Sequence, residues 1–163
     1  MGAEICSWGS PLHGKILDLI FDAVRLLDQE KWEEWVRLFT EDGVYKIISR
    51  ENFAEGLPLA IVLCEGRDMI SDRILSLRKA NIFNLHHDRH MVSNPRVLDV
   101  NEGCYSVHSH FALYQSTPAG DTSLFSVGAY LDKIIFVDDQ ARFKERIAVT
   151  DTGAVRNLLS SPI

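Results

Sequence analysis

The sequence predicts an α+β fold in which helices near the start of the chain pack on one face of a strongly curved, mainly antiparallel sheet. Two observations support this prediction. Apolar residues recur with helical spacing in the first half of the chain, and beyond residue 84 the spacing changes to the two-residue period of strands. A helical half followed by a run of strands is typical of α+β domains. We therefore expect a single domain over residues 1–163.

Two helices are predicted at the start of the chain. From Pro11 to Asp28, apolar residues recur every three or four positions, which indicates an amphipathic helix. A second apolar stripe follows, made of Trp32, Trp35, Val36 and Phe39. This stripe predicts a short helix that covers a sheet, so we expect the two tryptophans in the core rather than around a ligand.

A first strand and a third helix are predicted next. Residues 40–43 have turn composition, and residues 44–48 are rich in β-branched and aromatic side chains. After a polar connection, residues 59–63 predict a short strand, and residues 66–80 predict a helix with Arg73 on its solvated side. The buried side of this helix is expected to carry Met69, Ile70, Ile74 and Leu77.

Four long strands are predicted in the second half of the chain. Their expected ranges are residues 87–100, 104–116, 123–137 and 141–150. Short turns separate the strands, which favours an antiparallel meander. Pro95 interrupts the first of them, so we expect a bulge or an edge position there. The last residues, 154–163, are partly apolar and are expected to dock on the body of the protein or on a partner.

The composition is that of an acidic globular protein. Of the 163 residues, 46% are hydrophobic and 25% are charged, and the formal net charge is -6. Because phosphate binding needs a basic surface, we expect no nucleic-acid partner. Cys6, Cys64 and Cys104 are widely spaced and odd in number, which indicates free thiols in a reducing compartment. We find no signal peptide and no apolar run that would span a bilayer, so we expect a cytoplasmic protein without a membrane partner.

Histidines that share a strand face are candidate metal ligands. His86 and His90 would share one face of a strand, and His108 and His110 would share another. A nearby carboxylate would complete a two-histidine, one-carboxylate iron site or a zinc site. No H-E-x-x-H or C-x-x-C motif accompanies these histidines. We therefore favour the alternative, in which they lie on the rim of the sheet or at a subunit contact.

Asp28, Tyr45 and His90 form a second candidate set. If the helices close the mouth of a cone made by the sheet, Asp28 and His90 would meet in an apolar pocket as an acid–base pair. The alternative for Asp28 is the N-cap of the following short helix, a position that aspartate favours. Local preference favours the N-cap interpretation.

The order of several short motifs carries a family resemblance. The residues concerned are Leu27, Asp28, Trp35, LFTED at 38–42, Tyr45, DRI at 72–74, RHMVSN at 89–94, RFKER at 142–146 and NLL at 157–159. In this order the chain resembles the small (β) subunit of aromatic-ring-hydroxylating dioxygenases, within the nuclear transport factor 2-like superfamily. The RHMVSN and RFKER motifs are the selective part. The ending, from Thr150 onward, is more similar to systems that act on carboxylated or hydroxylated aromatics, such as benzoate, salicylate or anthranilate.

The resemblance implies a cone-shaped domain of the cystatin or nuclear transport factor 2-like type. It also implies a non-catalytic subunit that forms a trimer and joins three large (α) subunits in an α3β3 hexamer. The Rieske [2Fe–2S] cluster and the mononuclear iron are then expected in the large subunit, with no cofactor or metal in this chain. Three scattered cysteines agree, because a Rieske cluster needs paired Cys and His ligands. By the same resemblance, Arg89, His90, Asn94 and Arg146 are expected to be scaffold or interface residues.

Two other classes of function stay open at the level of the sequence. The chain would act as a cofactor-free dehydratase, isomerase or cyclase of the same superfamily if Asp28, Tyr45 and His90 lined a pocket in the cone. It would be a free-standing binding module if it exposed an apolar patch and had no partner subunit.

Overall fold

Helices and strands alternate in the first half of the chain, and the described residues of the second half contain four long strands. The computed structural model describes residues 10–79, 85–155 and 159–163. The helices are α1 (Pro11–Asp28), α2 (Trp32–Val36), α3 (Arg50–Ala54) and α4 (Arg67–Lys79). The strands are β1 (Phe39–Ser49), β2 (Val62–Glu65), β3 (His87–Asn101), β4 (Cys104–Ser116), β5 (Thr122–Val137) and β6 (Gln140–Thr150).

The six strands form one curved sheet in the order β2-β1-β6-β5-β4-β3. Strands β3 to β6 form the predicted antiparallel meander. β1 pairs antiparallel with β2 and parallel with β6, because the helical region of the chain lies between β1 and the meander. The predicted α+β fold with a mainly antiparallel sheet is therefore confirmed.

The helices cover one face of the sheet, which we call the inner face. α1 lies against β3 and β6, and α4 lies against β1. Along β4, buried residues alternate with more exposed ones, as the two-residue period predicts. The apolar stripe of α1 is buried, and Trp32, Trp35 and Val36 are buried with it, so the tryptophans are core residues.

β1 begins five residues earlier than predicted. Residues 40–43, expected as a turn, belong to the strand, and the pairing register with β6 shifts between Phe39 and Val44. The chain is tightly packed here, because a Cβ atom on Gly43 would lie 2.9 Å from the Thr40 carbonyl oxygen. An irregular strand with a glycine has the same composition as a turn, so the sequence did not distinguish them.

The irregularity predicted at Pro95 is present. β3 is an edge strand of the sheet, and its register with β4 shifts between Ser93 and Arg96. Asn94 has a φ of 52°, in the left-handed region that asparagine tolerates better than most residues. Pro95 has no N–H to donate, so an edge strand with a bulge accommodates it.

Three other local predictions differ from the structure. The connection after β1 contains the short helix α3, capped by the Ser49 hydroxyl, which accepts from the Asn52 main-chain N–H. β2 begins three residues later and ends two residues later than expected. On α4, Ile70, Ile74 and Leu77 are buried as predicted, but Met69 is exposed. The prediction of a free thiol at Cys6 lies outside the described residues.

Candidate functional site: the polar interior of the cone

A row of buried side chains crosses the inner face of the sheet. The strand register places Tyr45 beside Cys64 on one side and beside Arg146 on the other. Arg146 lies opposite Asp132, and Asp132 lies opposite Val107. All five side chains are buried. A pair of oppositely charged groups therefore lies in the middle of the core.

Asp28 connects the end of α1 to the edge strand β3. Its carboxylate accepts hydrogen bonds from the main-chain N–H of His90, at 3.0 Å, and from His90 Nδ1, at 2.7 Å. The His90 side chain is fully buried, and its Nε2 has no hydrogen-bond partner among the described residues. The exposed guanidinium of Arg89 lies 3.5 Å from the same carboxylate. The structure thus brings Asp28 and His90 together, as the acid–base hypothesis expected.

The interpretation of Asp28 as the N-cap of α2 is wrong. Asp28 is the last residue of α1, and the N-cap of α2 is Lys31, which makes no side-chain capping hydrogen bond. Glu30, with a φ of 55°, turns the chain between the two helices. The N-cap preference is read from neighbouring residues, whereas His90, the hydrogen-bond partner of Asp28, lies 62 positions further along the chain.

Tyr45, the third member of the predicted set, contacts a different segment. Its hydroxyl donates to the Ile163 oxygen at 3.0 Å and accepts from the Ile163 main-chain N–H at 2.9 Å. Burial raises the pKa of Tyr45 above its ordinary value, so the phenol stays neutral. The predicted set is therefore assembled only in part, since Tyr45 is held by Ile163 rather than by Asp28 or His90.

Residues 159–163 dock on the body of the protein, as expected for the end of this sequence. The Ser161 hydroxyl donates to Asp88 at 2.6 Å, and Arg73 donates to the Leu159 carbonyl oxygen at 3.4 Å. The side chains from 160 to 163 are buried. Arg73 is half-buried for this reason, so its predicted place on a solvated face is wrong. Residues 157 and 158 of the NLL motif lie outside the described residues.

Arg146 is buried between aromatic rings. Its guanidinium carbon lies 3.9 Å from the centre of the Tyr130 ring and 4.7 Å from that of Phe143. Its Nη1 lies 3.7 Å from an Asp132 carboxylate oxygen, which is an ion-pair distance rather than a hydrogen bond. Burial raises the pKa of Asp132 to about 6, although the Arg146 charge opposes the shift.

Sequence reasoning found Arg146 but missed Asp132 and Tyr130. The available signal was the alternation along β5, which places Tyr130, Asp132 and Ile134 on one face. A carboxylate between two core residues requires a buried partner, and Arg146 on a neighbouring strand is the suitable cation. The signal was weak because strands flanked by turns commonly carry acidic residues on the solvent side.

Arg89 and Asn94, the other two residues selected by the resemblance, are exposed on the edge strand β3. Asn94 forms the bulge, and Arg89 extends from the strand with 70% of its side chain exposed. Both are therefore accessible from outside the chain. His90, between them, faces inward.

The four histidines considered as metal ligands are divided between different environments. His90 lies in the interior, and His86 lies 3.5 Å from Asp88. His108 and His110 point to the outer face of β4, with their ring centres 4.7 Å apart. Burial, together with His110, lowers the pKa of His108. Within the described ranges, no three His, Cys, Asp or Glu side chains are grouped so that they would hold a metal ion.

The outer face of the sheet exposes an apolar patch, which we call the Met91 patch. It consists of Met91, Tyr114 and Leu124. Tyr114 lies opposite both Arg89 on β3 and Leu124 on β5, and Met91 is two residues from Arg89, so the patch is continuous across three strands. Met, Tyr and Arg are residue types that protein interfaces favour.

In the described part of the chain, no helix is both long and apolar enough to cross a membrane.

Comparison with known proteins gives consistent matches. Residues 11–147 match the family described as SnoaL-like domain. The anthranilate 1,2-dioxygenase small subunit of Burkholderia cepacia is 36% identical over 84% of this chain and 85% of its own length. A β subunit of the terephthalate 1,2-dioxygenase terminal oxygenase component of a Comamonas species is 34% identical over 85% of this chain and 90% of its own length.

A solved structure gives the same indication. The crystal structure from Novosphingobium aromaticivorans that is assigned to the β subunit of an aromatic-ring-hydroxylating dioxygenase is 31% identical in sequence. It superposes with a TM-score of 0.83 and covers 92% of this chain and 95% of its own. The similarity therefore extends over the helices and the whole sheet.

Proposed function

The chain belongs to the SnoaL-like domain family and, within it, to the small (β) subunits of aromatic-ring-hydroxylating dioxygenases, and from this premise we propose that it is an assembly subunit. The observation that carries the proposal is the match with named small subunits along more than four fifths of both chains. In this role the chain supports the large subunits of the oxygenase and performs no chemistry itself.

The exposed face of the sheet supports an assembly role. A closed three-fold ring needs two different surfaces on each subunit, because the contact is heterologous. The Met91 patch, with Arg89 beside it, offers one such surface, and Asn94 extends the same edge. We propose that the chain forms a trimer and combines with three large subunits in an α3β3 hexamer.

The iron centres are proposed to belong to the large subunit. A Rieske cluster needs paired cysteine and histidine ligands, whereas Cys64 is buried in the core and Cys104 lies on another strand, distant in sequence. His108 and His110 are two adjacent ligands without a third in the described part of the chain. Among the described residues, the side chains therefore do not fit either iron centre.

The substrate class is proposed from the relatives. The two relatives are named for anthranilate and terephthalate, which are both aromatic carboxylates. We propose that the complex hydroxylates an aromatic carboxylate in the cytoplasm. The large subunit would select the substrate, since the iron would be there.

Co-purification tests the proposal. The untagged chain and its tagged large subunit are expressed together and purified by the tag. The expected result is recovery of both chains in equal amounts, with iron following the large subunit and ring hydroxylation found only in the complex. Loss of the untagged chain during purification would overturn the proposal. So would full activity of the large subunit by itself.

The Asp28–His90 pair favours a second candidate, a cofactor-free acid–base enzyme. His90 Nδ1 is fixed by the Asp28 carboxylate, so the Nε2 atom is left as the group that exchanges protons. The purified chain would then dehydrate or isomerise a hydroxylated ring compound without metal. A His90→Gln variant that folds but has lost this turnover would support the enzyme. Absence of turnover in the unmodified chain would remove this candidate.

A further inference from the structure

A second apolar surface lies beside β2, at the opposite edge of the sheet from the Met91 patch. It consists of four exposed apolar side chains that lie close together in the chain, and we call it the Leu59 patch: Phe53, Leu57, Leu59 and Ile61. Leu59 is the most exposed of the four, at 70%. A cluster of exposed apolar side chains indicates a contact with another protein.

Hydrogen bonds to neighbouring elements hold the Leu59 patch in place. The Leu57 main-chain N–H donates to the Asn52 carbonyl oxygen at 2.9 Å, and the Asn52 side chain donates to the Leu59 carbonyl oxygen at 2.9 Å. These two bonds fold the segment back against α3. The Ile61 N–H then donates to the Ile47 carbonyl oxygen on β1 at 2.8 Å. The patch is therefore a defined surface, built before any partner binds.

Charged residues of opposite sign surround the two patches. Glu51 and Glu55 are exposed at α3, beside the Leu59 patch. Arg89 and Arg96 are exposed on β3, on the same outer face as the Met91 patch. Among the described residues, Glu51, Glu55 and Arg96 take part in no ion pair. The Leu59 patch therefore has an acidic rim, and the Met91 patch has a basic one.

The positions and the charges of the two patches identify the partner. We propose that the Leu59 patch of one copy packs against the Met91 patch of the next copy, and that this contact closes the trimer. β2 and β3 are the two edge strands of the sheet, so each copy presents its two patches at opposite ends. A closed three-fold ring requires two different surfaces of this kind. The inference rests on the trimer of the proposed function and assigns both of its surfaces.

Charge complementarity supports contact between unlike patches. Such a contact brings the acidic rim of one copy against the basic rim of the next, whereas contact between like patches brings charges of the same sign together. Arg50, the basic residue of α3, does not reverse the sign of the acidic rim, because it lies 4.0 Å from the carboxylate of Asp151.

Sedimentation of the full chain at several concentrations tests the apolar part of the contact. Leu59→Asp places a charge in the Leu59 patch, so the trimer is expected to dissociate at concentrations at least about tenfold higher than for the unmodified chain. Leu75→Asp is the matched control, because Leu75 is 50% exposed on α4, outside both patches. It should leave the trimer unchanged.

Charge reversal tests which patch meets which. Glu55→Arg and Arg96→Glu are each expected to weaken the trimer by about three- to tenfold at low salt, because attraction between exposed charges becomes repulsion. The double variant reverses both rims at every contact, so it should recover most of the lost association. Lys31→Glu, at an exposed lysine that begins α2, is the control for a charge change alone and should have no effect.

The outcomes separate this inference from the proposed function. A trimer that is unchanged in Leu59→Asp, or that does not recover in the double variant, would overturn the inference and leave the assembly role intact. A trimer that is unchanged while binding of the large subunit is lost would assign the Leu59 patch to that subunit instead. An unmodified chain that neither forms a trimer nor binds the large subunit would overturn both. If the trimer exists only in the complex, recovery by the double variant is measured there.

Discussion

At the scale of single residues, Asp28 is the acceptor on which the contact between α1 and β3 depends. In Asp28→Ala, the His90 main-chain N–H and Nδ1 lose their acceptor inside the protein. We expect the free energy of unfolding to fall by about 2 to 4 kcal/mol, because each unsatisfied buried donor costs about 1–3 kcal/mol. Urea denaturation measures this change.

The matched control for that change is Asp22→Ala. Asp22 lies on the same helix in an ion pair with Arg25, and half of each side chain is exposed, so a change of under about 1 kcal/mol is expected. Asp28→Asn keeps one acceptor oxygen and should fall between the two. Equal effects of Asp28→Ala and Asp22→Ala would show that the contact with His90 contributes no stability.

Asp132 is expected to titrate near pH 6, well above an ordinary aspartate. The raised pKa means that the folded state holds this proton more tightly than the unfolded state does. The contribution of Asp132 to stability is therefore present at low pH and is lost as the pH rises from about 4 to about 6. Carbon-13 NMR of the carboxyl group, followed across this range, gives the pKa directly.

Asp42 provides the comparison for Asp132 in the same spectra. It is exposed and paired with Lys144, and its hydrogen bond from that ammonium group lowers its pKa. The two carboxyl groups should thus shift in opposite directions from the ordinary value. Titration of Asp132 at or below the pH of Asp42 would contradict the buried environment described for it.

At the scale of the elements, the Tyr45 hydroxyl on β1 binds the main chain of Ile163 and so holds residues 159–163 against the sheet. Tyr45→Phe removes the partner of both the Ile163 N–H and the Ile163 oxygen. We expect faster hydrogen exchange of the Ile163 amide and a loss of about 1–3 kcal/mol in stability. Tyr114→Phe, at an exposed tyrosine on β4, should change neither quantity. Unchanged protection of Ile163 in Tyr45→Phe would mean that other contacts hold this segment.

The sequence was sufficient for those elements whose signals are local. β4 begins and ends at the predicted residues, because Asn101 and Gly103 on one side and Pro118 and Gly120 on the other have strong turn preferences. α1 was predicted with the same accuracy from its apolar period. The beginning of β1 was missed because Gly43 suits a turn and an irregular strand equally well.

The candidate site was predicted less completely because it depends on contacts distant in the sequence. Asp28 and His90 were grouped correctly, since the predicted cone brings the end of the first helix to the strand that carries His90, although this strand, β3, lies at the edge of the sheet rather than inside it. The role of Tyr45 was not foreseen, because Ile163 is an apolar residue whose main chain, rather than its side chain, makes the contact. The Arg146–Asp132 pair depends on the register between β5 and β6, which no short motif specifies.

At the scale of the whole molecule, the Met91 patch is the surface on which assembly is expected to depend. Met91→Asp places a charge in an exposed apolar surface, so the folded chain should remain stable while association with its partners is weakened by tenfold or more. Analytical ultracentrifugation of the variant with and without the large subunit measures this. Met69→Asp is the control, because Met69 is similarly exposed but lies on α4, outside the Met91 patch. Equal weakening by both variants would exclude a specific role for the patch.

Native mass spectrometry of the chain, alone and after expression with its large subunit, tests the assembly role most directly. We expect a metal-free trimer of this chain, which gains three copies of an iron-containing large subunit. A monomer or dimer that does not combine with the large subunit would contradict the account. The cofactor-free enzyme based on the Asp28–His90 pair would then be the function to test.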